Sequence, residues 1–283
     1  MQTLTKEDFT YLSSMIKQEC GIVLEDGKQY LITSRLAGLM REKLMDDFSE
    51  LCAELRKGSD IRLKEKIVDA MTTNETLWFR DSSPYQTLTE KVLPELLEEL
   101  ISGKRSTLRL WSAACSTGQE PYSLAMTIQE VIHNLGSRGR LINPNSIQII
   151  ATDISDSALT IAKLCRYNEL AMSRGMLPGY KEKYFVQQGA VWQLSPAIKS
   201  MITFKKFNLQ DSFTSMGRFD IVFLRNVAIY FSSEFKTELY KKLARSATMS
   251  GLLFVGSSES VPNYSEEFEL KQHGKCYYYQ SKR

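Results

Sequence analysis

The sequence is poor in what a metal centre or a disulfide framework is made from. Its five cysteines, Cys20, Cys52, Cys115, Cys165 and Cys276, are odd in number, widely scattered and never in a C-x-x-C pair, and only two histidines could assist them. No metal is expected, and the thiols read as reduced and intracellular. No run approaches the roughly 18 apolar residues of a membrane span. The opening "MQTLTKEDFTYL" has no basic stretch followed by an apolar one, so a secretory signal is not read and a cytoplasmic chain without membrane insertion is expected. An excess of one charge is missing too: 36 Lys and Arg stand against 33 Asp and Glu. In residues 1–75 the balance is 11 basic to 14 acidic, so no nucleic-acid partner is expected and any basic surface must be local. Also absent is the G-x-G-x-x-G turn on which a pyrophosphate rests.

What is present is enough apolar residue for a sizeable core with a smaller accessory domain, 43% of 283 residues. Residues 1 to about 70 carry helical periodicity. Thr5 and Asp8 have the spacing of a capping box before a stripe at Phe9, Leu12 and Ile16, and "DDFSELCAELRKGS" repeats the pattern with Phe48, Leu51, Cys52 and Leu55. Between them, Lys28 to Leu44 puts Ile32, Leu36, Leu39, Met40 and Leu44 in one sector with Arg35 at its margin. Arg41 falls about 120° round from Arg35, so the two make no single basic stripe and a solvated face is the plain reading.

From Leu108 the pattern changes to alternating strands and helices. The strands "LRLWSA", "IQIIAT", "MITFKKF", "FDIVFL" and "GLLFVG" imply a mainly parallel sheet covered on both faces. "KCYYYQ" and residues 267–270 form an antiparallel hairpin at its edge through "KQHG". Two strand-like pieces around Gly189, "KYFVQQ" and "AVWQLS", interrupt the alternation and predict a small β insertion at about 180–204. The division expected is a helical domain at 1–72, a linker or lid at 73–106 and an α/β domain at 107–283.

After the first strand, Ala113 to Gly118 are all small, which lets a ligand lie against the turning backbone. Glu120 stands where a phosphate would need a helix N-terminus free of negative charge, and so suits a ligand carrying an ammonium group. Asp153 ends the second strand, where it either accepts the hydroxyls of a ribose or caps the next helix. Asn208, Arg225 and Asn226 arrive at the corresponding ends of later strands. Upstream, "TTNETLWFRD" places Asn74, Thr76 and Arg80 among aromatics, either as a linker anchor or as a lid.

Taken together, "TTNETLWFRD", "WSAACSTGQEPYSLAM", "ATDIS" and "RNVAIYF" resemble, in order and spacing, the bacterial chemoreceptor glutamate methyltransferases of the CheR family. The resemblance implies an N-terminal all-α domain, a Rossmann-like S-adenosylmethionine-dependent methyltransferase sheet and an inserted antiparallel β subdomain. It implies cofactor contacts from Asn74, Thr76, Arg80, Glu120, Asp153, Asn208, Leu209, Arg225 and Asn226. Arg80 and Tyr230 would be catalytic, and Arg35 and Arg41 would meet a chemoreceptor's cytoplasmic helical bundle. The implied product is S-adenosylhomocysteine and the implied state a monomer. Leu224 and Ala228 depart from residues common in the family, both by apolar exchange. The β insertion is a few residues short of members that bind a receptor's C-terminal pentapeptide, so tether independence is expected. Competing readings are a methyltransferase for another substrate, a non-catalytic S-adenosylmethionine-binding signalling module, and a hydrolase built on "GSSES" with His273. The last lacks the second glycine of a nucleophile elbow.

Overall fold

The switch in periodicity near Leu108 is a switch in architecture. The computed structural model describes residues 4–58 and 60–283. Four helices come first: α1 (Lys6–Cys20), α2 (Gln29–Glu42), α3 (Phe48–Lys57) and α4 (Ile61–Met71). The capping box forms at Thr5, whose hydroxyl oxygen accepts the Asp8 N–H at 3.1 Å while the Asp8 carboxylate reaches back to Thr5. Phe9, Leu12, Ile16, Ile32, Leu36, Met40, Phe48 and Leu51 fill one core. Leu44 does not join it: α2 has ended, Leu44 adopts φ 54°, and its side chain is 90% exposed.

The chain then runs without regular structure to a turn at 78–81 before α5 (Ser83–Thr87), a single π turn, and α6 (Leu93–Ile101). Trp78 anchors this connection. It is fully buried against Tyr167 and Phe185, with ring centroids 5.0 and 5.4 Å away, and its Nε1–H donates to the Ala171 carbonyl at 3.0 Å.

The α/β part alternates β1 (Leu108–Ala113), α7 (Gln119–Asn134), β2 (Ile147–Asp153) and α8 (Asp156–Leu164). An insertion follows: β3 (Arg166–Asn168), the short helices α9 (Glu169–Ser173) and α10 (Tyr180–Tyr184), then β4 (Phe185–Gln188), β5 (Val191–Leu194) and α11 (Pro196–Lys199). The main sheet resumes with β6 (Ile202–Lys206), β7 (Phe219–Leu224), α12 (Ser233–Ser246) and β8 (Ala247–Val255), and closes on β9 (Phe268–His273) and β10 (Cys276–Ser281).

Seven strands in the order β6-β2-β1-β7-β8-β10-β9 form the sheet, parallel up to β8 and antiparallel in the final hairpin. Every residue of β7 is buried, as expected of a parallel strand covered on both faces. Strand order reverses at β1, with β2 on one side and β7 on the other. The crevice beyond their C-terminal ends is therefore where a ligand belongs in such a sheet. The insertion is a three-stranded antiparallel sheet, β3-β5-β4. All five cysteines are free and buried. Among the described residues no cluster could hold a metal, and no helix is long and apolar enough to cross a membrane.

Candidate functional site

The turn after β1 takes left-handed backbone at Ala114 (φ 60°), Ser116 (φ 51°) and Gly118 (φ 95°). Ala114 and Ser116 line a cleft at the strand ends; Gly118 does not. A Cβ on Gly118 would sit 2.9 Å from Ala162 and 3.1 Å from the Tyr167 hydroxyl. The glycine is therefore demanded by its φ and by close packing on α8 and β3, and not by a ligand's approach.

Asp153 ends β2 with one carboxylate oxygen accepting the Ser116 N–H at 2.7 Å and the other the Ser155 N–H at 2.9 Å. Burial pushes its pKa above the usual carboxylate value, against the pull of those N–H groups. It is not the cap of α8. Ser155 is, accepting the Ala158 N–H at 3.0 Å, and its hydroxyl also donates to Asp69 on α4. Asn74 reaches the same hydroxyl at 3.3 Å.

Glu120, in the first turn of α7, accepts the Ser112 hydroxyl at 2.8 Å and faces Arg225 at 3.4 Å. Burial raises its pKa, and Arg225 opposes the rise without cancelling it. The Arg225 side chain is 1% exposed and also pairs with Asp81 at 2.7 Å and the Arg80 carbonyl at 2.9 Å. Next to it Asn226, at φ 59°, donates its N–H to Glu259 at 2.7 Å, and the same Glu259 oxygen accepts the Gly256 N–H at 2.7 Å. This is what "GSSES" does. Its glutamate fixes the turn after β7, while His273 bonds Glu90 at 3.0 Å, so no nucleophile elbow is assembled.

The cleft, about 940 Å³ with its open mouth, lies within the size range of ligand sites. Asn74, Thr76, Arg80, Glu120, Asp153, Asn208, Leu209, Arg225, Asn226 and Tyr230 all line it. The structure thus brings ten expected site residues together from five separate segments. Two acceptors face it from Glu120 and Asp153, and Asn226 Oδ1 is buried without a hydrogen-bond partner. The Arg80 guanidinium makes no hydrogen bond or ion pair among the described residues. Asn208 donates to the Glu19 carbonyl at 2.7 Å, and Cys20 and Ile22 complete the wall, so the helical domain is part of the cleft.

The remaining two expected residues lie elsewhere. Arg35 donates to the Met71 carbonyl and to the Thr73 hydroxyl at 2.7 Å, and lines a neighbouring groove. Arg41 is exposed near the end of α2 and lines neither cavity. Sequence reasoning missed Asp81, Ser112, Glu259 and the contribution of Cys20 and Ile22. Asp81 follows Arg80 within a quoted motif, but its partner Arg225 is 144 residues away and no local pattern connects them.

Residues 7–72 match the CheR methyltransferase all-alpha domain and residues 74–276 the CheR methyltransferase SAM binding domain. A chemotaxis protein methyltransferase 1 of Pseudomonas aeruginosa is 44% identical over 269 residues, covering 94% of each chain. Chemotaxis protein methyltransferases of Vibrio parahaemolyticus and Borreliella burgdorferi are 39% and 36% identical, covering 95% and 91% of this chain and 94% and 89% of theirs.

Proposed function

The chain belongs to the CheR methyltransferase family, and from that premise we propose how its cleft divides the work. The activity is S-adenosylmethionine-dependent methylation of glutamate side chains on chemoreceptors, giving methyl esters in chemotaxis. When bound, the cofactor supplies an electrophilic sulfonium methyl.

One observation carries the assignment of roles: three acceptors, the carboxylates of Glu120 and Asp153 and the unpartnered Asn226 Oδ1, line one cleft. That set repels phosphate and suits a ligand with an ammonium group and vicinal hydroxyls. Asp153 serves the hydroxyls, and Glu120 with Asn226 serves the ammonium. Asn74, Thr76, Asn208 and Leu209 shape the remaining cofactor wall. Arg225 holds Glu120 and Asp81 in place from behind. Arg80, whose guanidinium makes no hydrogen bond among the described residues and lends its charge to Glu120 across the cleft, and the Tyr230 hydroxyl orient the substrate.

No general base is needed, because a glutamate with a reference pKa of about 4.3 is ionised at neutral pH. The residues therefore act by orientation and by excluding water from the carboxylate, for which well-aligned reactions gain about 7–11 kcal/mol. Arg35 and Arg41 meet the acidic surface of the receptor helices. The enzyme works as a cytoplasmic monomer without a pentapeptide tether, a reading that rests on the sequence of the insertion alone.

Incubation with radiolabelled S-adenosylmethionine and receptor-containing membranes tests the activity. Base-labile label on a receptor-sized band is expected, and its absence in a preparation that binds S-adenosylhomocysteine would overturn the reading. Deleting the receptor's last five residues should leave the rate unchanged. A tenfold fall would instead assign the tether to the insertion, whose edge strand β4 exposes Val186.

A further inference from the structure

Strands β7 and β8 run parallel with Leu224 opposite Val255, so the chain leaves the sheet side by side at Arg225-Asn226 and at Gly256. Arg225 and Asn226 line the cleft, whereas Gly256 and the turn after it do not. That turn is firmly held. The Glu259 N–H donates to the Gly256 carbonyl at 2.9 Å, and two residues on Val261 is fully buried in the core of the α/β domain. The Glu259 carboxylate is thereby brought behind Asn226. Its Oε2 accepts the N–H groups of both Asn226 and Gly256 at 2.7 Å, while its Oε1 is buried with no hydrogen-bond partner among the described residues.

A carboxylate retained for stability alone would be expected to place donors on both oxygens, because a buried acceptor left unpaired is destabilising. Here one oxygen takes both donors, and what they fix is the placement of Asn226. At φ 59° Asn226 occupies a region that few residues other than glycine adopt, and its N–H meets a charged acceptor, the strong kind of hydrogen bond. The carboxamide lies against Gly256. A Cβ on Gly256 would sit 2.7 Å from Asn226 Nδ2, 3.0 Å from its Cγ and 2.7 Å from Glu259 Oε2. Gly256 is not in the left-handed region, so space alone demands the glycine. We propose that Glu259 is a positioning residue for methyl transfer: it holds the Asn226 backbone from outside the cleft, and Gly256 seats the carboxamide, so that the unpartnered Asn226 Oδ1 is aimed at the ammonium end of the cofactor. This rests on the reading of Asn226 above and adds to it a residue 33 positions away that touches neither cofactor nor substrate.

Calorimetry on the full chain with two probes tests it. One is S-adenosylhomocysteine; the other is 5′-methylthioadenosine, which keeps the adenosine and the thioether but has neither ammonium nor carboxylate. Glu259→Ala should weaken S-adenosylhomocysteine at least tenfold and leave 5′-methylthioadenosine within twofold. Glu259→Gln keeps an oxygen for the two N–H groups and should lose no more than threefold. Gly256→Ala leaves Glu259 in the chain but crowds the carboxamide, and should reproduce the selective loss. Asn226→Gly removes the carboxamide while allowing the same backbone; on that background Glu259→Ala should change S-adenosylhomocysteine affinity less than twofold. A parallel loss of both probes in Glu259→Ala and Gly256→Ala would make Glu259 a purely structural residue and overturn the proposal, as would a full tenfold further loss on the Asn226→Gly background. If Asn226→Gly itself binds S-adenosylhomocysteine normally, the reading of Asn226 has failed and takes the proposal with it. If that variant binds weakly while Glu259→Ala and Gly256→Ala bind normally, the proposal alone has failed.

Discussion

Arg225→Met isolates the electrostatics behind the cleft. The methionine keeps much of the side chain's bulk and removes the cation that pairs with Glu120 at 3.4 Å and Asp81 at 2.7 Å, leaving Glu120 only the weaker charge of Arg80. At an effective dielectric near 20, the attraction to Glu120 is about 5 kcal/mol before desolvation is counted. Asp81 is a third exposed and screened, so it adds little. Removing one partner of a buried pair costs about 3–5 kcal/mol, because the other charge remains uncompensated. Urea unfolding should show a loss in that range, a large fraction of an ordinary domain's stability. The loss also depends on pH. Burial already raises the Glu120 pKa from its usual 4.5, so between that value and the folded one the folded chain holds a proton that the unfolded chain releases. Stability from this group is present below the usual value and declines as pH rises toward the folded one. Without Arg225 that window extends upward, so the variant should lose more at pH 8 than at pH 5. Adding Glu120→Gln should recover about 2 kcal/mol at pH 8 and little at pH 5. Equal losses at both pH values, or no recovery in the double variant, would refute an ion-pair network at this site.

Asp153→Asn loses a charged acceptor from two backbone N–H groups, so unfolding should show about 1–3 kcal/mol of destabilisation. Calorimetry should show at least a tenfold weaker S-adenosylhomocysteine complex; destabilisation with unchanged affinity would leave Asp153 a purely structural role. Tyr230→Phe should lower kcat about tenfold with cofactor affinity within twofold, and equal losses in both would move Tyr230 into the cofactor site. Lys242 donates to the carbonyls of Leu209, Gln210 and Asp211 at 2.8, 2.9 and 3.0 Å, closing the loop that carries Asn208 from outside the cleft. Lys242→Met should weaken S-adenosylhomocysteine binding about fivefold, or roughly 1 kcal/mol, and an unchanged affinity would show that the loop holds its shape without it.

The central parallel strands were legible almost to the residue because burial on both faces leaves unbroken apolar runs, as in "FDIVFL" over Phe219–Leu224, whereas β8 begins at Ala247, four residues before "GLLFVG", where its residues are partly exposed. Arg166–Asn168 was not legible. Three residues with an arginine and an asparagine carry no periodicity, and they become a strand only because β5 pairs with them. Leu44 shows the reverse error: the stripe continued in sequence after the backbone had turned left-handed and left the helix. Gly118 and Asp153 were each placed at the right point of the sheet with part of the physics missed. The glycine's space is taken by Ala162, Tyr122 and Tyr167, and the aspartate's oxygens hold the turn that the glycine ends. Local spacing shows which strand end a residue occupies, but not which distant side chain will meet it there, as Arg225 with Asp81 makes plain.

The helical domain supplies Cys20 and Ile22 to the wall of the cleft, and its Glu19 carbonyl holds Asn208. Two binding events that share one wall are subject to linkage. Whatever factor a seated receptor helix applies to the affinity for S-adenosylhomocysteine, that product must apply to the affinity for the receptor. How firmly the spent enzyme is held by its receptor then depends on that one coupling constant. If it is above one, the spent enzyme stays on its receptor until product leaves; if below one, each ester formed loosens the enzyme's hold and sends it to another receptor.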